Sequence, residues 1–120
     1  MNMNKRKLGT RYENIAAGFL KLQGYTIAER NFRTHIGEID IIAYDGDILV
    51  FVEVKYRSSA AFGAPSEAVD SKKQQKIIST SRQYIASRHL FDAKIRYDIV
   101  EILGDKIRIL RDAFSSYACM

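Results

Sequence analysis

The stretch from Ile36 to Tyr56 decides most of what this chain can become. Ile36 to Tyr44 and Asp47 to Tyr56 are rich in Ile, Val, Phe and Tyr, and Asp45-Gly46 between them is a hairpin turn signal. The two runs are expected to pair as antiparallel strands. In the second run, Val50, Val52 and Val54 point to one side while Phe51, Glu53 and Lys55 point to the other, so apolar residues fall on both faces. That pattern belongs to a central strand covered on two sides.

The rest of the chain supplies the covering. Thr10 followed by Glu13 fits a capping box, and Tyr12, Ile15, Ala16, Phe19 and Leu22 recur at helical spacing until Gly24, which predicts a helix over 10–23. Tyr25 to Arg33 mixes β-formers with polar residues as an outer strand does, leading into a loop at Thr34 and His35. After the hairpin, Ser58, Ser59, Gly63 and Pro65 predict a loop able to move. A second helix is expected to begin near Ser66 or Ser71, where Ser71 and Gln74 offer another capping box. Its apolar stripe is Ile77, Ile78, Ser81, Tyr84 and Ile85. Ile95 to Leu103 and Lys106 to Arg111 read as a second hairpin turned at Gly104-Asp105. The predicted order is α-β-β-β-α-β-β, a mixed central sheet flanked by helices.

At 120 residues the chain suits one domain. We expect it over 9–114, with a flexible basic arm over 1–8 and a tail over 115–120. Nineteen Lys and Arg against fourteen Asp and Glu give a formal charge of +5, which favours a polyanionic partner such as nucleic acid. The longest apolar run in the middle of the chain, Ile48 to Val52, is far short of a membrane span, and the polar N-terminus does not resemble a secretion signal. The single cysteine, Cys119, allows no internal disulfide and no cysteine-based zinc site, as suits a reducing cytoplasm.

With Asp45 and Gly46 as the loop residues, Asp40 faces Phe51 and Glu38 faces Glu53. Glu38, Asp40, Glu53 and Lys55 then share a sheet face, with Asp40 and Glu53 diagonal neighbours roughly 7 to 8 Å apart at the backbone. Carboxylates crowded on a covered strand repel each other and lose hydration, a cost that a cation relieves. Asp40 with Glu53 offers the hard, open ligand set that Mg²⁺ or Mn²⁺ takes, leaving places for water and phosphate oxygens. Lys55 can stabilise charge on a phosphoryl group in flight. The same residues are also compatible with a solvated strand face bearing one surface ion pair.

An acidic residue on the first helix, Gly37-Glu38-Ile39-Asp40 on one strand and Glu53-Val54-Lys55 on the next resemble the YraN-like family of small bacterial proteins. That family is similar to the archaeal Holliday-junction resolvases of the restriction-endonuclease-like, or PD-(D/E)xK, superfamily. The likeness runs from about Gly9 to Phe114 and includes Tyr97-Asp98-Ile99-Val100. It implies a restriction-endonuclease-like sheet and a metal-dependent DNA endonuclease acting on branched or damaged DNA. Asp40 and Glu53 stand as ligands, Lys55 as the catalytic lysine, and Glu13 as the helical acid that can complete the metal shell. Ile39 replaces the proline of the superfamily name, at a position whose side chain is not a ligand.

Around that centre Glu38 is a secondary acid. Arg33, Arg57, Lys72, Lys73 and Lys76 are candidates for the nucleic-acid backbone, Tyr56 for stacking on a base, and Gln75 for a supporting contact. Each has a plainer structural reading as well: Glu13 as a cap, the lysines as a solvated face, Asp98 as a structural acid, and His35 and His89 as loop and helix-end residues. Cutting both strands symmetrically would call for a homodimer. Two other function classes remain open: a catalytically silent nucleic-acid-binding or adaptor module on the same scaffold, and a protein-interaction role for the apolar tail around Phe114 and Tyr117.

Overall fold

Two glycines set the register of the sheet. In the computed structural model, which describes residues 2–57 and 69–116 with side chains from residue 9 onward, Gly46 and Gly104 have φ of +62° and +59°. Each opens a two-residue hairpin loop: Asp45 pairs with Ile48, and Leu103 with Lys106. A glycine at positive φ followed by Asp47 at an ordinary φ is the arrangement of a type II′ turn, whereas a type I′ turn needs positive φ at both positions. The loop is therefore Gly46-Asp47 and not Asp45-Gly46. This moves the first hairpin's register by two residues, which preserves the faces and changes the partners.

The elements are α1 (Asn2–Leu22), β1 (Thr26–Arg33), β2 (Glu38–Asp45), β3 (Ile48–Arg57), α2 (Ser71–Ser87), β4 (Lys94–Leu103) and β5 (Lys106–Phe114). The strands lie in the order β1-β2-β3-β4-β5, with β3 and β4 parallel and every other pair antiparallel. This is a mixed α/β fold with β3 at its centre, as its two-sided apolar pattern required. Leu49 to Val52 are all buried.

Two cores result. On the α2 side Phe51 packs with Ile42, Leu49, Ile77, Ile78 and Tyr97, its ring 5.7 Å from Tyr97 and edge-on to Tyr84 at 5.9 Å. On the α1 side Val50 and Val52 meet Ala16, Ala17, Leu20 and Val100. Burying a side chain such as Phe51 contributes about 1.5 to 3 kcal/mol. Phe114, expected in an interaction tail, stacks on Tyr97 at 5.1 Å inside the α2-side core. Tyr117 and the loop holding Ser58, Ser59, Gly63 and Pro65 lie outside the described residues.

Both helices depart from expectation at their starts. α1 runs from Asn2, so residues 2–8 of the expected basic arm are helical and Thr10 with Glu13 lies inside the helix, where no capping box can form. Its buried face is Glu13, Ala16, Ala17 and Leu20, while Ile15 and Leu22 are exposed. Small alanines let the helix sit close to the sheet, and the bulkier stripe turns outward. α2 is capped by Asp70, whose carboxylate accepts the Lys73 N–H at 2.8 Å, one residue before the expected Ser71. Its stripe is as expected, with Ser81 bonded to the Tyr97 hydroxyl at 2.6 Å.

Asp98 is structural. Fully buried on β4, it accepts Tyr25 Oη at 2.7 Å, Arg96 Nε at 2.8 Å and the Asp112 N–H at 2.9 Å. Burial and then the bond to Asp98 push the Tyr25 hydroxyl up to about 12.

Gly37 is fixed by contact, not by conformation. A Cβ there would stand 3.1 Å from Thr80 Oγ1 and 3.6 Å from Lys76 Cβ, so α2 lies against this backbone. Thr80 cannot swing away freely, because its hydroxyl donates to Lys76 O at 2.7 Å. We expect Gly37→Ala to lower unfolding free energy in urea by about 1 to 2 kcal/mol through overpacking. Adding Thr80→Ala should recover part of that loss, and strictly additive losses would show that this contact is not the cause.

Candidate metal centre

Asp40 sits where the sheet forks. The β2–β3 ladder ends at Ile41 and Val52, and beyond it Asp40 Oδ2 takes the Val54 N–H at 2.8 Å, a donor the ladder leaves unused. Continued by one step, the register sets Asp40 directly opposite Glu53, where sequence reasoning had them diagonal. The carboxylate thus occupies the gap between the strands.

β2 also rolls over at this point. Ile41 belongs to the α1-side core and Ile39 to the α2-side core, although residues two apart in a regular strand share a face. Across the ladder Arg30 pairs with Ile41 and Phe32 with Ile39, and between them Asn31 has a φ of 55°, the left-handed region that Asn tolerates better than most residues. Asn31 and Asp40 form the pivot. The four residues expected on one face are consequently divided. Glu38 opens with Glu13, Asn31 and Asp40 onto a cleft of about 280 Å³ on the α1 side, whereas Glu53 lies on the opposite face of β3.

Glu53 is mostly buried, with Lys73 Nζ of α2 at 3.7 Å. Its carboxyl is pushed up to about 8, first by burial, then by the negative charge of Asp40 and a hydrogen bond with it. Lys73 and Lys55 pull in the other direction without offsetting the rise. Lys55 is exposed, two residues along β3 on the Glu53 face. The structure therefore brings Asp40, Glu53, Lys55 and Lys73 together.

It does not bring Glu13 to them as a ligand. Glu13 Oε1 accepts Arg30 Nε at 2.9 Å and Asn31 Nδ2 at 2.8 Å, so this acid grips the pivot from α1. Among the described residues no group of three or more His, Cys, Asp or Glu is arranged to hold a metal ion. Two other candidates are engaged within the protein. Arg33 pairs with Glu38 at 2.6 Å, and Arg57 turns inward to fully buried Glu101 at 3.0 Å, a carboxylate that also holds Arg108. Lys72, Gln75 and Lys76 are exposed on the first turns of α2. Tyr56 stacks on Tyr12, with ring centroids 3.9 Å apart and planes at 15°.

Sequence reasoning passed over Asn31, Arg30 and Glu101. Glu101 alone left a signal, as an acid within the apolar run Ile99 to Leu103.

The model of the uncharacterised protein family UPF0102 matches residues 12–102. The chain belongs to the UPF0102 family. A UPF0102 protein of Desulforapulum autotrophicum is 43% identical over 120 residues, covering 97% of this chain and 99% of that relative. Others from Caldanaerobacter subterraneus and Alkaliphilus oremlandii are 50% and 51% identical over 100 and 102 residues, each covering 83% of this chain and 82% and 86% of those relatives. The UPF0102 match contains the pivot, both carboxylates of the centre, Lys55 and Lys73. It ends before β5, so Arg108 lies outside it.

Proposed function

We propose that this UPF0102 protein is a Mg²⁺- or Mn²⁺-dependent DNA endonuclease with a restriction-endonuclease-like scaffold, hydrolysing phosphodiester bonds in branched or damaged DNA. The observation that carries this reading is the Asp40 carboxylate wedged into the β2–β3 fork opposite the mostly buried Glu53, with two lysines beside them. Burial raises Glu53 first and the charge of Asp40 second, and both costs of ionising it are the kind a bound divalent cation offsets. All the donors are carboxylate oxygens, and two carboxylates leave the remaining positions of a hard ion to water and phosphate. When bound, such an ion supplies Lewis-acid charge and an activated water at neutral pH.

The chain's own residues do the rest. Asp40 and Glu53 hold the ion, and the Val54 N–H keeps Asp40 from turning away. Lys55 presents its ammonium to the charge that builds on the phosphoryl oxygens. Lys73, approaching from α2, tempers the negative charge of Glu53 and adds to the positive field that attracts DNA.

The test is a substrate panel. Purified protein is incubated with a four-way junction, a flap, a single strand and plain duplex, with Mg²⁺, with Mn²⁺ or with chelator. Metal-dependent product is expected on at least one branched or single-stranded substrate. No product on any substrate with either ion would sink the reading.

A second reading is favoured by one observation, the engagement of Glu13 by Arg30 and Asn31. It makes the protein a nucleic-acid-binding module without turnover. That version predicts binding whose log affinity falls with log salt, and no cleavage with either metal.

A further inference from the structure

The cleft on the α1 side lies next to the proposed centre and is used by nothing described so far. Gly9, Thr10 and Tyr12 of α1 line it together with Val54 and Tyr56 of β3. Tyr12 and Tyr56 lie nearly parallel, so one face of Tyr56 is spent on Tyr12. Tyr56 is nevertheless 41% exposed, so the stack does not close it off from solvent. The hydroxyls of the pair also interact, and the bond to Tyr56 is the first cause of a raised Tyr12 pKa.

The polar lining selects what can enter. Glu13, Glu38, Asp40 and Asn31 reach the cleft, and Arg33 at its edge is already paired with Glu38. A phosphate would meet mainly carboxylates there and be repelled. A neutral nucleobase would not, and its amino and imino N–H groups would find acceptors. Aromatic platforms hold unpaired bases of any sequence because every base has a π face. Asp40 borders the cleft on one side and the proposed phosphodiester site on the other.

We propose that this cleft receives one unstacked nucleobase beside the scissile phosphate, with Tyr56, backed by Tyr12, as the stacking platform. The proposal rests on the nuclease reading for the position of the cut, but the binding of the base does not require turnover. It makes the substrate class single-stranded or branched DNA with an unpaired nucleotide, in preference to uninterrupted duplex. A base held in a duplex would first have to be unpaired and unstacked.

The test uses oligonucleotides carrying a single 2-aminopurine, whose fluorescence falls on stacking against an aromatic ring. They are presented as a single strand, at a one-nucleotide gap or within intact duplex, with chelator present so that no cutting occurs. Quenching by the parent protein is expected on the single strand and at the gap. Tyr56→Phe should keep it. Tyr56→Ala should lose it and weaken single-strand binding about tenfold, leaving duplex binding unchanged.

The proposal is overturned if the parent gives no quenching, if Tyr56→Ala quenches as the parent does, or if Tyr56→Ala weakens single-strand and duplex binding alike. Circular dichroism and thermal melts of the variants separate a lost platform from a lost fold. Quenching without cleavage in the substrate panel would keep the base site and retire the nuclease reading. Cleavage with no dependence on Tyr56 would do the reverse.

Discussion

Asp40→Asn and Lys55→Ala should each reduce metal-dependent DNA cleavage by at least about a hundredfold while leaving the folded protein close to parental stability. The expectation follows from where each atom sits. Asparagine retains an oxygen able to accept the Val54 N–H, so the fork stays closed, but the charge that would hold a cation is gone. Lys55 is exposed, and surface substitutions away from special features usually change stability by less than about 0.5 kcal/mol. Loss of one well-placed electrostatic donor typically costs a factor of about 10² to 10³ in rate. Single-turnover cleavage of the best substrate, with thermal melts run alongside, checks both parts. Two variants that cut as fast as the parent would remove these residues from the chemistry.

The second large effect concerns stability and has the opposite sign. Glu53 keeps its proton up to about pH 8 in the folded protein, against an ordinary value of 4.5. Between those values the folded state binds more protons than the unfolded chain, so stability falls as pH rises. Below the ordinary value both states are protonated and the favourable contribution is fully present. Glu53→Gln abolishes this titration. At pH 9 the variant should be more stable than the parent by roughly 2 kcal/mol, about 8 °C in melting temperature, and at pH 4 the two should converge. Parallel stability curves across that range would show that Glu53 is not strained by its ionisation. Millimolar Mn²⁺ at pH 8 should raise the parent's melting temperature and leave Glu53→Gln nearly unmoved, a readout of the cation that needs no substrate.

The order of elements along the chain, the central place of β3 and the stripe of α2 follow from short-range apolar periodicity, which survives any detail of the turns. The register did not follow, because Asp45-Gly46-Asp47 contains two turn-like pairs and only the backbone angle of Gly46 selects between them. The buried face of α1 departs from the expected stripe because Ile15 and Leu22 outrank Ala16 and Ala17 in apolarity, while the close approach of helix to sheet favours the small side chains.

At the site, the proximity of Asp40 to Glu53 was legible from the hairpin alone. The roll at Asp40 was not, because it depends on Asn31 in a different strand and on Glu13 in a different helix. An acid's long-range partner leaves no trace in its local sequence. That is why Glu13 reads as a cap and Arg57 as a free phosphate contact, when one holds the pivot and the other serves Glu101.

The parallel pairing of β3 with β4 has a consequence for how the protein is made. Asp40, Glu53 and Lys55 all lie in an antiparallel meander of neighbouring strands, whose contacts span short stretches of chain. Ile48 must instead find Lys94, and Arg57 must find Leu103, across the whole intervening segment. Closing so long a loop is the slow part of forming such a sheet. As the chain leaves the ribosome, β3 therefore emerges with one edge unpaired and Phe51 uncovered, a surface prone to pair with other chains. The strand that carries Glu53 completes its pairing only when β4 arrives.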